Sequence, residues 1–259
     1  MKKLFSMLLA VLMFSALAIS CGDPDPDPEP TPEPTPWDDL APTNTQWGLV
    51  INYTANWCGP CGSWGVPLMK RCVEKGNVVG VGVKASGDPQ YNAPIYSAYT
   101  ADRTTGGGIP AFWMGDTKTE SESALTTLMN RTPKAGVAMK HELTEDSIIV
   151  YSVVETFDTF DPEGEYYLAT VVQEDGLKYS QAGVTDPNYR HNYVTRAAFD
   201  GKPYGVPVTL KTGKNNFRYA IAIETKWDVA NIYAHVVLYK KEGTTKPVYK
   251  FINGSWSRP

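Results

Sequence analysis

Cys58 and Cys61 are separated by two residues in the run Trp57-Cys58-Gly59-Pro60-Cys61, and two thiols at that spacing can form, break and pass on a disulfide. The nucleophile in such exchange is a thiolate, so one cysteine must lose its proton easily and the other must resolve the mixed disulfide. Both conditions are met if a helix starts at the motif. Cys58 then occupies the helix N-terminus, where unpaired amides and the helix dipole favour the thiolate and draw its pKa from about 8.5 towards 7 or below. Cys61, one turn further in and on the core side, is the resolving thiol. Pro60 at the helix start costs no hydrogen bond and fixes the turn after Gly59.

The elements that must position the dithiol can be read on either side of it. Leu49–Thr54 is an apolar run, Gly59–Glu74 has helical spacing, and Val78–Lys84 is apolar again. Asp88–Ala101 is mixed, the chain around Ile109 and Pro110 is extended, and Ser121–Arg131 is helical, with Glu120-Ser-Glu122 as its cap. Strands alternating with helices predict an α/β layer with a mixed sheet. In the helix after the motif, Cys61, Trp64, Leu68 and Cys72 form one stripe, which places Trp64 in the core. Pro67 should kink that helix.

From Gly136 onward the period changes to two. Strands are expected at 136–143, 147–155, 166–173, 205–210, 216–224, 231–240 and 247–252, and Thr185–Phe199 reads as a short helix in a crossover. Seven short strands with little helix predict an all-β sandwich of immunoglobulin-like architecture over residues 136–259.

Other candidates carry less chemistry. Cys72, on the helix stripe, reads as a buried, inert thiol. His141, His191 and His235 lack metal-ligand spacing, so no metal is expected. Glu142 and Glu145 read as solvated hairpin carboxylates. Gly106-Gly-Gly108 has no following lysine and is not a phosphate loop. No cofactor is implied.

The N-terminus speaks to location. Lys2 and Lys3, an apolar stretch from Leu4 to Ile19 and small residues before Cys21 have the layout of a secretory signal over residues 1–20. Leu17-Ala-Ile-Ser-Cys21 resembles the lipobox of bacterial lipoproteins, which makes Cys21 the lipidation site; Ala18 departs from the usual leucine. Residues 21–43 form a tether rich in proline and acid, whose Gly22–Pro36 portion can form neither core nor ladder and in polyproline form spans about 45 Å. Residues 1–39 hold two basic and seven acidic side chains, leaving 22 basic against 21 acidic in 40–259. A nearly neutral folded part with no basic cluster argues against nucleic acid as a partner.

The run Trp57-Cys58-Gly59-Pro60-Cys61 is identical to the thioredoxin active-site motif and stands in the strand-to-helix context of that family. The resemblance covers residues 44–135, without the family's first strand and helix. It implies that Ile109-Pro110 is the family's cis-proline, shaping with Trp57 a groove for an extended substrate peptide beside Cys58. Three positions depart from the pattern. Asn52 stands where the family has a buried aspartate that takes the resolving thiol's proton, and asparagine cannot act as a base. Gly62 replaces the usual lysine, and the helix proline is displaced by one residue, to Pro67. As a whole, the chain resembles the family named after a twenty-eight-kilodalton outer-membrane protein, in part through His191-Asn-Tyr-Val-Thr-Arg196. That resemblance implies an outer-membrane lipoprotein facing the periplasm or the cell surface.

Two readings follow. In the first, the chain is a membrane-tethered thiol-disulfide oxidoreductase: Cys58 and Cys61 react, Trp57, Ile109 and Pro110 hold a protein substrate, and a membrane redox partner recycles the dithiol. In the second it is a non-enzymatic surface lipoprotein, in which the sandwich binds a partner and the Cys58–Cys61 disulfide is structural.

Overall fold

Gly48–Thr54 (β1) and Val78–Lys84 (β2) pair in parallel and are buried along their whole length, as their nearly continuous apolar sequence requires of strands covered on both faces. These strands belong to a computed structural model in which residues 34–259 are described. The signal segment, Cys21 and most of the tether lie outside the described residues. The tether's last residues pack against the fold: Trp37 stacks edge-on against Tyr151 at 5.6 Å and donates its indole N–H to the Phe217 carbonyl.

A helical stretch starts at Gly59, runs through a π turn at Cys61–Gly65 and continues as α1 (Val66–Val73). Pro67 lies in the first turn of α1 and is accommodated by that π turn, in which the Val66 N–H reaches back to the Cys61 carbonyl. Next come α2 (Ala93–Asp102), capped by the Asn92 side chain on the Ile95 amide, and β3 (Ala111–Met114), antiparallel to β1. The short β4 (Thr117–Lys118) and α3 (Glu122–Met129) follow. Ser121 makes no side-chain cap. Glu122 instead pairs across to α1 and its end, with Arg71 at 2.8 Å and Lys75 at 3.3 Å.

The second half supplies β5 (Ala135–Leu143), β6 (Ser147–Thr156), β7 (Glu165–Glu174), β8 (Val194–Ala198), β9 (Val206–Val208), β10 (Gly213–Ala222), β11 (Ile232–Glu242) and β12 (Val248–Trp256). Strand order in the large sheet is β12-β11-β7-β8-β2-β1-β3-β4, with β9 also on β7, while β10-β6-β5 form a second, antiparallel sheet. The expected crossover helix over 185–199 is absent. Pro187 and the left-handed Tyr193 (φ 61°) break helical continuity there, and the chain runs as a loop into β8.

The strands of 136–259 do not close on themselves as a free-standing immunoglobulin-like sandwich, because β8 pairs with β2 through Gly82 and Val194 and carries the sheet across the 135/136 boundary. One core runs from Leu49 through Leu68, Val81 and Leu125 to Val237 and Phe251, with α1 and α3 packed on it. β7 and β11 are buried on both faces. Ala169, Val171 and Val237 turn to that core, whereas Leu168, Val172, Val236 and Leu238 pack on Val137, Ile148 and Val150 of the small sheet.

Candidate functional site

β1 ends at Thr54, and the chain turns through Ala55 and Asn56 before the helix begins. The turn is closed by the Cys58 N–H on the Ala55 carbonyl at 3.2 Å. Cys58 and Cys61 are joined in a disulfide with their Cα atoms 5.2 Å apart, and the Cys61 amide N–H donates to Cys58 Sγ at 3.2 Å. That amide is one of the free donors at a helix start, so the dithiol occupies the position the sequence predicts. Cys58 is only 5% exposed and Cys61 fully buried, in a small cluster with Ala55 and Ala85.

On one side of the dithiol lies the Ile109–Pro110 peptide, which is cis. The Ile109 carbonyl oxygen stands 3.6 Å from Cys58 Sγ. Pro110 lines an open groove of about 520 Å³ with Pro60, Trp64, Gly108, Phe112 and Lys118. Trp57 is 54% exposed beside the dithiol, its indole N–H held by the Ser86 carbonyl. Trp64 is not a core residue. Its ring lies 37% exposed against Phe112 in the groove, because the π turn rotates it off the stripe that buries Cys61, Leu68 and Cys72. Trp113 points elsewhere, donating to the Thr104 carbonyl beside Arg103.

The other side is closed by a feature the sequence did not disclose, a strap formed by residues 177–192. The strap is pinned at both ends by the Leu177–His191 bridge. Its Ala182 N–H donates to the Asn56 carbonyl at 2.7 Å. The Gln181 side-chain amide donates to the carbonyls of Ala55 and Cys58 at 3.0 and 3.1 Å and lies 3.3 Å from that of Asn56. A Cβ on Gly62 would lie 2.0 Å from the Ala182 carbonyl oxygen, so the position where thioredoxins carry lysine admits no side chain here.

Beneath the strap and α1 lies a cavity of about 590 Å³. Asn52 lines it from β1, 4% exposed, with no partner for its Oδ1. Lys84 lines it from β2, buried, with its Nζ 2.9 Å from His191 Nδ1 and 3.7 Å from Asp88 Oδ2. Burial draws the Lys84 pKa down to about 8 despite Asp88. His191 is pushed down to about 4, by burial first and then by Lys84. A histidine in the His191–Arg196 segment was the one sequence signal pointing here, and Arg196 itself pairs with Glu174 at 2.6 Å. Cys72 is buried and free, its thiol pushed up to about 11 by burial. Among the described residues, no group of three histidine, cysteine, aspartate or glutamate side chains is placed to hold a metal ion.

Among solved structures, HBP35 of Porphyromonas gingivalis is similar, with a TM-score of 0.70 at 15% sequence identity over 84% of this chain and 76% of that chain. A domain of the outer membrane lipoprotein Omp28 from Porphyromonas gingivalis aligns with 49% of this chain and 89% of its own, at 14% identity and a TM-score of 0.33. No family model matches the chain, and no curated protein matches it significantly. In fold the chain is thus a thioredoxin-like protein similar to HBP35, with a Cys58–Cys61 disulfide at the start of its first helix.

Proposed function

We propose that this protein is a membrane-tethered thiol-disulfide oxidoreductase acting on exported proteins. The observation that carries the proposal is the juxtaposition at Cys58: a disulfide at a helix start, an amide N–H on its sulfur and a groove ending at Pro110. In the reducing direction the Cys58 thiolate attacks a substrate disulfide, forming a mixed disulfide and expelling one substrate sulfur as a thiolate. Cys61, deprotonated, then attacks Cys58 Sγ, expelling the second substrate thiolate and leaving Cys58–Cys61 oxidised. The reverse sequence oxidises a substrate dithiol. Trp57, Ile109 and Pro110 hold the substrate segment, Gly59 and Pro60 shape the turn, and a membrane redox partner returns the electrons. The N-terminal segment supports export and anchoring through Cys21 in the outer membrane, facing the periplasm or the cell surface. Residues 44–135 carry the chemistry, and 136–259, with an immunoglobulin-like packing of the small sheet on β7 and β11, wall the site.

The second reading, a surface lipoprotein whose disulfide only stiffens the fold, is favoured by the 5% exposure of Cys58 and by the strap over its helix. The reduction potential of the pair in the mature chain separates the two. A value between about −120 and −270 mV is that of exchange catalysts, and one below about −300 mV is that of structural disulfides and overturns the proposal. Trapping of partner proteins by Cys61→Ser, lost in the double variant with Cys58→Ser, is the matching assay.

A further inference from the structure

Four segments meet around a small pocket that shares no residue with the dithiol groove: residues 89–92 ahead of α2, the start of the strap at Leu177 and Tyr179, Thr195 and Arg196 of β8, and the turn at 224–227 between β10 and β11. Its volume is about 160 Å³. A cavity of about 150 Å³ holds one benzene-sized molecule, so the pocket has room for a single six-membered ring.

Two of its polar side chains are left over by the fold. Gln90 is 4% exposed and Thr195 3%, and neither Gln90 Nε2, Gln90 Oε1 nor Thr195 Oγ1 has a hydrogen-bond partner. Among the described residues, Gln90 is the one side chain with two orphaned buried atoms. Its backbone N–H is held by Asp88 Oδ1 at 2.7 Å, so the main chain is fixed while the carboxamide stays free. Buried polar atoms are rarely left unpaired. A carboxamide free at both ends, with a free hydroxyl lining the same pocket, calls for a partner that both donates and accepts at neighbouring atoms, as adjacent hydroxyls do.

The rest of the wall sets the remaining chemistry. Its charged side chains are already paired, Arg196 with Glu174 at 2.6 Å and Glu224 with Lys226 at 2.8 Å. Asn92 is also engaged, its Nδ2 donating to the Arg196 carbonyl and its Oδ1 accepting from the Ile95 amide. No charge is left for a ligand to neutralise. The other lining residues are Pro89, Leu177 and the rings of Tyr91, Tyr179 and Trp227, with Tyr179 42% exposed. Aromatic faces are electron-rich and attract the C–H face of a saturated ring.

We propose that this pocket binds one neutral pyranose ring, its adjacent hydroxyls on the Gln90 carboxamide and the Thr195 hydroxyl and its C–H face on Tyr179. The site stands whether or not the dithiol exchanges.

Saturation-transfer NMR titration of the full mature chain with glucose, galactose, mannose and N-acetylglucosamine tests the proposal. Tetrahydropyran is the matching ring without hydroxyls, and uracil is a planar ring that also pairs an amide at both atoms. Saturable binding of at least one of the sugars is expected, with a Kd of about 10 mM or tighter and none for tetrahydropyran. Gln90→Met replaces the unpaired amide by an apolar chain of similar length, so it should keep or raise the melting temperature while weakening the sugar at least about tenfold. Tyr179→Ala should keep the melting temperature and weaken the sugar several-fold, which keeps the test decisive if Gln90→Met fails to fold. No saturation by any of the sugars below about 50 mM, full affinity in a folded Gln90→Met or in Tyr179→Ala, or binding of uracil in their place would overturn the proposal.

Discussion

Gly62→Ala probes the contact between strap and dithiol helix directly. The added Cβ would lie 2.0 Å from the Ala182 carbonyl oxygen and 3.0 Å from the carbonyl carbons of Ala182 and Gly183. These are backbone atoms and cannot swing aside as a side chain would, so the strap must recede by about 1.4 Å to reach ordinary contact. That movement breaks the 2.7 Å bond from the Ala182 N–H and pulls the Gln181 amide off the Ala55 and Cys58 carbonyls. Three hydrogen bonds, two of them buried, at about 1 kcal/mol each give roughly 3 kcal/mol. Alanine returns up to about 1 kcal/mol through its helix propensity, so the net loss should be about 2 kcal/mol. Gly59→Ala is the control, since a Cβ there meets nothing within 4 Å, and it should be neutral or slightly stabilising. Urea unfolding followed by tryptophan fluorescence and far-ultraviolet circular dichroism reads both variants. Loosening the strap should also speed alkylation of reduced Cys58. A Gly62→Ala protein as stable as Gly59→Ala would show that the strap is not held against the helix, and the reasoning would fail.

Two further outcomes follow from buried titratable groups. Burial holds His191 at about 4 and His235 at about 3, both below the ordinary histidine value. As pH falls below about 6.5 the unfolded chain therefore binds protons before the native one, and stability present above that pH is lost progressively as pH passes through 4 towards 3. His191 alone accounts for on the order of 3 kcal/mol of this loss. Melting temperatures across the range should fall less steeply in His191→Gln than in the parent, and parallel profiles would count against the assignment. Cys72 is fully buried with its thiol pushed up to about 11, so a maleimide at neutral pH should leave it unmodified in the native protein and label it only after denaturation. Prompt native labelling would contradict its burial.

Three departures from the thioredoxin pattern show how far the sequence could be read and where it stopped. The dithiol, the strand before it and the helix after it were legible because each rests on local chemistry: an apolar run, a helix start and a proline where no amide is needed. Pro67 was visible as a one-residue displacement, and the structure converts that spacing into geometry. The extra residue enters as the π turn Cys61–Gly65, which restores the proline to the first turn of α1 and turns Trp64 out into the groove. A one-residue insertion in a helix has this outcome as a known local solution, so the signal was present in the spacing alone. Gly62 and Asn52 were different. Ala182, which meets Gly62, and Lys84 and His191, which line the cavity beside Asn52, lie about 30 to 140 residues further along, and the strap that carries Ala182 and His191 reaches the helix beside the junction of β8 with β2. Period-two strands predict two packed sheets without fixing which strands meet, so the sequence suggested a separate sandwich where the chain instead extends one sheet. Seen in place, the missing lysine is a steric requirement of the strap, and the neutral Asn52 lines a cavity that the buried Lys84 also lines. Of the three departures, Pro67 is absorbed locally by the π turn, whereas Gly62 meets the strap of the second half and Asn52 lines the cavity beneath it.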